Sequence, residues 1–181
     1  MDPSRFYDDI AEYYDLIYDD WEASMRRQGS FLAAMLGGPR ASPARVLDVS
    51  AGIGTQALPL AAAGYDVVAR DLSSGAVRRL QREAVRRGLD IDAAPADMRS
   101  VADTVVGPFD AVLSMDNSVP HLLTDSDILT AFRGFRSLLS AEGVVLISVR
   151  DYAAVDRSPR STHPYGVRTR SGRRFRSSQE W

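Results

Sequence analysis

The stretch Arg45-Val46-Leu47-Asp48-Val49-Ser50-Ala51-Gly52-Ile53-Gly54-Thr55 leaves this chain few folds to choose from. Val46, Leu47 and Val49 form a short apolar run of the kind that makes a buried strand. Small residues and two glycines follow, then an Ala-rich helical run from Gln56 to Ala63 that stops at Gly64. Strand, glycine-rich turn and helix together make a ligand loop, because glycine lets backbone approach a bound molecule where a Cβ would collide. Such a loop lies at the carboxyl end of a strand, where open α/β sheets bind nucleotides.

The pattern is not the full dinucleotide fingerprint. G-x-G-x-x-G needs a third glycine, and after Gly52-Ile53-Gly54 the chain continues Thr55-Gln56-Ala57. A second half of a nucleoside site is nevertheless present. Val67-Val68-Ala69 lead into Arg70-Asp71, with Asp71 placed 17 residues after Gly54. A carboxylate there can accept two hydrogen bonds from a ribose diol. The pair points to a nucleoside ligand that need not carry a pyrophosphate, and the absent glycine counts against a nicotinamide-dependent dehydrogenase.

The run from Val46 to Thr55, with Asp71-Leu72-Ser73 after it, resembles the class I S-adenosylmethionine-dependent methyltransferases. Within them the chain is most similar to the glycine/sarcosine N-methyltransferase group, from about Tyr7 onward. The small non-glycine Ser50, where the wider family has glycine, favours the narrower group. The resemblance implies a doubly wound, Rossmann-like α/β sheet and S-adenosyl-L-methionine as cofactor. It places Asp48, Ser50, Ala51, Gly52, Gly54, Asp71 and Leu72 around that cofactor. It also implies a sheet finished by two further strands, which would begin where this sequence ends. The expectation is therefore a C-terminally truncated chain whose own turnover is in doubt.

Composition narrows the partners. The chain has 181 residues, 45% hydrophobic and 25% charged, enough for one domain with a core. The net charge of −2 gives no electrostatic case for nucleic acid or a membrane surface. All 22 cationic side chains are Arg, which reads as a codon bias. Without cysteine there is no disulfide framework or thiolate metal site, and no pair of the two histidines has metal-ligand spacing. A small-molecule substrate, no metal and a cytoplasmic location are the expectations, with the oligomeric state open.

Three segments follow from the pattern. Residues 1–40 read as a helical, aromatic segment, with Phe6, Tyr7, Ile10, Tyr13, Tyr14, Ile17, Tyr18 and Trp21 at steps of three or four. It either packs its aromatic face on the core or forms a lid over the cofactor. The resemblance assigns Tyr14 and Arg27 to the cofactor's methionine part, Arg27 through a bidentate fork to its carboxylate. A solvated helix charge is the other reading of Arg27.

Residues 41–152 form the binding core. Ser73 or Ser74 caps a helix running to Arg87, with Val77, Leu80 and Ala84 buried and Arg78, Arg79, Arg82, Arg86 and Arg87 mostly on its wet side. Ile91 to Ala94 make a short strand, and the resemblance puts the following Asp97 and Met98 at the adenine, Met98 as a thioether against the ring. Phe109 to Ser114 are a further strand, leading into Met115-Asp116-Asn117-Ser118-Val119-Pro120-His121-Leu122.

This last stretch resembles the group's acceptor signature, with Met115 beside the cofactor. Asn117 offers its carbonyl oxygen to an amine or its amide to a carboxylate. His121 is either a base or a structural hydrogen-bonding group. Thr124 and Asp127 cap a helix whose expected buried face is Ile128, Phe132, Phe135 and Leu139, and Gly143 precedes a strand from Val144 to Val149. Arg150 would grip a substrate carboxylate, as the resemblance implies, or pair with Asp116 or Asp151.

Residues 153–181 read as loop with one short basic strand near Arg173–Ser177 and seven arginines. The implied reaction is methyl transfer to the nitrogen of a small amino acid or amine, with O- or C-methylation and a nucleoside-binding fragment without turnover as alternatives. An in-line displacement needs alignment and exclusion of water rather than a nucleophilic side chain. A binding constellation without a catalytic triad agrees with that.

Overall fold

The computed structural model describes residues 3–38, 44–154, 162–170 and 172–180. Strands β1 (Arg45–Asp48), β2 (Asp66–Asp71), β3 (Asp92–Pro95), β4 (Phe109–Ser114) and β5 (Leu139–Ile147) form one sheet, in the order β3-β2-β1-β4-β5. Every pairing in it is parallel. Strand order reverses between β1 and β4, which makes the carboxyl ends of these two strands the binding crevice.

Side-chain alternation along the central strands fills both faces of the sheet. Val46, Val67, Ala69, Ala111 and Leu113 pack with Leu32, Leu60 and Leu80 on one side. Leu47, Val68 and Val112 pack with Phe109, Phe135 and Leu138 on the other. Burial on both faces explains why β1, β2 and β4 read as continuous apolar runs.

Helices α2 (Trp21–Met35), α3 (Ala57–Ala62), α4 (Ser74–Arg87) and α5 (Asp125–Leu138) cover the sheet. The Ser73 hydroxyl caps α4 by accepting from the Ala76 N–H at 3.0 Å, and Gly88 ends the helix in the left-handed region. Thr124 caps α5 from the Asp127 N–H at 3.1 Å. α2 and α3 approach closely at Gly29, where an added Cβ would sit 2.5 Å from the Pro59 side chain.

The sequence misplaces three details. Arg79 lies inside: it is 4% exposed, donates to the Ala11 carbonyl at 2.8 Å and pairs with Asp15 at 2.7 Å. It belongs to the seam between α4 and the N-terminal segment, which no pattern within α4 reveals. The buried face of α5 is Ala131, Phe135 and Leu138, while Phe132 lies on the exposed side. The chain passes directly from α5 into β5 at Leu139, so Gly143 falls within the strand rather than before it. β5 is the sheet edge and shows Val144, Val145 and Ile147 to the surface.

The N-terminal segment is α1 (Pro3–Ile10), a 3-10 turn (Ala11–Ile17) and α2. α1 is fastened to the start of α4. Asp8 Oδ1 accepts from the Ser73 hydroxyl and from the Gly75 N–H, both at 2.6 Å. A side chain at Gly75 would meet Asp8 atoms at 3.0–3.1 Å, so a larger residue would have to push α1 back by a few tenths of an ångström.

Where the sequence suggests loop and one short strand, the chain forms an antiparallel hairpin of β6 (Thr162–Arg170) and β7 (Arg173–Glu180). It forms its own two-stranded sheet and does not extend the parallel one. The hairpin packs on the 3-10 turn. Phe175 stacks on Tyr13 with ring centroids 5.1 Å apart, and the Ser177 hydroxyl donates to the Leu16 carbonyl at 3.0 Å. Arg168 donates to the Tyr18 carbonyl and pairs with Asp19. The short strand expected near Arg173–Ser177 falls within β7, and the pairing strand β6 is the part the sequence does not announce.

Candidate functional site

A cavity of about 500 Å³ opens at the carboxyl ends of β1, β2 and β4. Its floor is the glycine loop. Gly52 has φ +53, and nothing lies within 4 Å of where its Cβ would stand. Backbone therefore faces open cavity at this point, and only glycine takes that conformation without strain. Gly54 does different work: at φ +97, a side chain there would strike Leu58 and Leu80 at 2.8–3.1 Å. It seats α3 and α4 against the loop and does not line the cavity.

Asp71 ends β2 beside this loop. One carboxylate oxygen accepts from the Gly52 N–H and the other from the Ser73 N–H, each at 2.8 Å. Each oxygen keeps a second lone-pair site for a ligand. Burial pushes the Asp71 carboxyl up from its ordinary value, against the pull of those two N–H donors. Asp48 lies beneath the loop, fully buried. Its Oδ1 accepts from the Ser50 N–H at 3.1 Å, and its Oδ2 has no hydrogen-bond partner. Burial lifts its pKa to about 8, opposed by the Ser50 N–H and assisted by the Asp71 and Asp116 carboxylates.

The walls come from distant parts of the chain. Tyr7, Ala11 and Tyr14 approach from the N-terminal segment, and Met98, Leu122 and Leu123 from the loops after β3 and β4. Burial raises the hydroxyl pKa of both Tyr7 and Tyr14, so both phenols are neutral donors. Tyr7 Oη is 3.0 Å from His121 Nε2. On the rim, Arg99 pairs with Asp97 at 2.5 Å and with Asp127 at 3.2 Å. The Arg99 guanidinium holds the Asp97 carboxyl below the usual range, and Asp97 meets any ligand already engaged.

Of the residues the sequence singles out, Tyr14, Ser50, Ala51, Gly52, Asp71, Leu72, Asp97, Met98 and His121 line this cavity. Six others do not. Asp48 and Gly54 lie below its floor. Arg27 is exposed on α2 and donates to the Ser24 hydroxyl at 3.3 Å. Met115 packs on the core under its strand end.

Asn117 braces two loops and is not among the lining residues. Its amide donates to the Tyr152 hydroxyl at 2.7 Å, and its carbonyl accepts from the Arg150 N–H at 3.0 Å. The brace turns the chain so that Arg150 is exposed outside the lining. A cluster able to hold a metal ion does not occur among the described residues.

One part of the site escapes sequence reasoning. Trp21 donates to the Thr55 hydroxyl at 3.0 Å. Tyr18 donates to Asp116 Oδ2 at 3.1 Å, and Gln56 donates to the same oxygen at 2.9 Å. Thr55, Gln56 and Asp116 all line the cavity. In the sequence Tyr18 and Trp21 read only as part of an aromatic period, and Asp116 only as a possible ion-pair partner of Arg150.

Comparison with known proteins agrees with this geometry. Residues 46–143 match the family described as a methyltransferase domain. The chain is 29% identical over 157 residues to a glycine/sarcosine N-methyltransferase of Halorhodospira halochloris, covering 86% of this chain and 57% of that protein. It is 31% identical over 104 residues to a ubiquinone biosynthesis O-methyltransferase of Caulobacter, covering 58% and 40%. Its fold is similar to that of Streptomyces venezuelae DesVI, with a TM-score of 0.75 at 23% identity over 94% of this chain and 69% of that one. A methyltransferase of Clostridium acetobutylicum, described as S-adenosylmethionine-dependent, gives a TM-score of 0.67 at 16% identity, over 97% and 80%. The chain spans just over half the length of the first curated relatives it matches. From the strand–loop–strand geometry and the matched residues, the chain belongs to the methyltransferase domain family.

Proposed function

We propose that this chain binds S-adenosyl-L-methionine and directs methyl transfer to the nitrogen of a small amine or amino acid. The observation that carries the reading is the Gly52–Asp71 pair. A glycine with open space above it and an acidic group at the end of the next strand frame a nucleoside-sized cavity. The residues fit the cofactor. Asp71 would take the ribose, Asp97 and Met98 the adenine, and the Gly52 loop the chain that follows. Asp48 lies beneath the loop, where burial favours its protonated form and one oxygen is unpartnered.

When bound, the cofactor supplies a methyl group on positive sulfur that is already activated for transfer. The protein's residues position and shield. Tyr7 and Tyr14 cover the cavity from the N-terminal side and exclude water. The acceptor nitrogen must be neutral to offer its lone pair, and no side-chain nucleophile is required. Relatives named glycine/sarcosine N-methyltransferase, at 28–30% identity, support the nitrogen acceptor.

A hydroxyl acceptor is the second reading. It needs a base, and His121 stands on the wall, bonded to Tyr7. Calorimetric titration with S-adenosylmethionine, with NAD as control, tests the first half. Methylation assays on glycine, sarcosine, dimethylglycine and a phenol separate the acceptors. Binding of NAD alone would overturn the cofactor, and turnover confined to the phenol would overturn the nitrogen acceptor.

A further inference from the structure

Asp116 follows β4 with a φ of 54, and Asn117 after it has a φ of 68. Two successive non-glycine residues in the left-handed region form a strained turn, of the sort found where side-chain placement matters. The turn sets the Asp116 carboxylate into the cavity. Two donors then fix it. Oδ2 takes the Tyr18 hydroxyl and the Gln56 amide, and the Gln56 amide is itself oriented by Gln28 Oε1 at 2.7 Å. Oδ1 has no hydrogen-bond partner among the described residues. Tyr18 is in turn anchored through its carbonyl by Arg168 of the hairpin, at 3.1 Å.

We propose that Asp116 determines acceptor specificity: Oδ1 takes the N–H of the acceptor amine, so that preferred acceptors are small amines with no carboxylate beside the nitrogen. This rests on the nitrogen-acceptor reading above and narrows it. A carboxylated acceptor is held most strongly by a cation. Among the described residues, the guanidinium lining the cavity is Arg99, and it is committed to Asp97 and Asp127. Arg27 and Arg150 lie outside the lining. A substrate carboxylate close to Asp116 would instead meet a like charge in a partly enclosed site.

The test is calorimetry on the chain saturated with S-adenosylhomocysteine, titrated with ethanolamine, propylamine, glycine and sarcosine. The two amines should bind at least tenfold tighter than the two amino acids. Asp116→Asn keeps the shape and tolerates the left-handed turn, and should weaken amine binding tenfold or more while S-adenosylhomocysteine affinity stays within twofold. Tyr18→Phe should give a smaller loss in the same direction. Tighter binding of glycine than of ethanolamine overturns the proposal, as does an amine affinity that Asp116→Asn leaves unchanged. An equal drop in S-adenosylhomocysteine affinity would assign Asp116 to the cofactor instead. Failure of S-adenosylhomocysteine to bind at all would remove the methyl-transfer reading itself, and this proposal with it.

Discussion

The two sides of the crevice between β1 and β4 are made in different ways. The β1–β2 side is backbone and buried carboxylate: Gly52, Asp48 and Asp71, fixed by hydrogen bonds between residues close in sequence. The β4 side is side chains brought from far apart: Tyr7, Tyr14 and Tyr18 from the N-terminal segment, Gln56 from the loop, and Asp116 and His121 from beyond β4. A local frame binds what the whole fold shares. An assembled wall can change part by part without disturbing the sheet, and the proposed acceptor choice rests on that wall.

Four experiments sharpen or break this contrast. The largest effect should come from Gly52→Val, which puts a β-branched side chain at φ +53 into the open floor. S-adenosylmethionine affinity should fall at least a thousandfold, about 4 kcal/mol, with far-ultraviolet circular dichroism retained. Loss of the dichroism together with binding would make the floor a folding element and erase the distinction. Next is Arg79→Ala, which removes the buried ion pair with Asp15 in the seam. Stability should drop by about 3 kcal/mol, read by denaturant melts, with the acceptor wall loosened more than the cofactor floor. A change below about 0.5 kcal/mol would show that the seam does not hold the segment.

Asp71→Ala should weaken S-adenosylmethionine by about 1.5–3 kcal/mol and leave amine binding to the saturated protein nearly intact. Wild-type affinity in that variant would remove Asp71 from the cofactor. The smallest effect per step is a pH slope. The folded value of Asp48 is about 8 against an ordinary 3.8, so the folded state holds its proton longer than the unfolded chain. This favours folding at acid pH and is lost as pH climbs from about 4 to about 8, at up to about 1.4 kcal/mol per unit. Asp48→Asn should flatten the slope in melts at pH 5, 6.5 and 8. Parallel curves for the two proteins would place the titration elsewhere.

The same contrast decides what could be read from the sequence. β1, β2, β4, the capped helix α4 and Asp71 were legible because each is a short-range pattern: an apolar run, a cap, a glycine, an acid at a fixed distance. Gly54 was recognised as special but assigned to the ligand, since sequence does not say whether a glycine faces a cavity or Leu58. Arg79 looked like a solvated charge because its partners lie 64 and 68 residues away, at Asp15 and Ala11. Asn117 belongs to a signature and Arg150 to a strand end, yet the Asn117 side chain bonds Tyr152 and the Arg150 N–H, and Arg150 is exposed outside the lining. Asp116 reads in the sequence only as a possible partner of Arg150, because the residues that hold it, Tyr18 and Gln56, are 98 and 60 residues distant.

The contact of Asp8 with the start of α4 has one more consequence. A helix is ordinarily closed at its N-terminus by a residue of its own chain segment, and here Ser73 does that while Asp8 adds a second acceptor from α1. The first turn of α4 begins three residues after Asp71, so the same few peptide units serve both the Asp71 carboxylate and the N-terminal segment. Lifting α1 away would strip the Gly75 amide of its acceptor while leaving the Ala76 bond to Ser73 in place. Deuterium uptake at these two neighbouring amides thus becomes an internal gauge. Gly75 reads how often the cover is open, and Ala76 reads how often the helix itself frays.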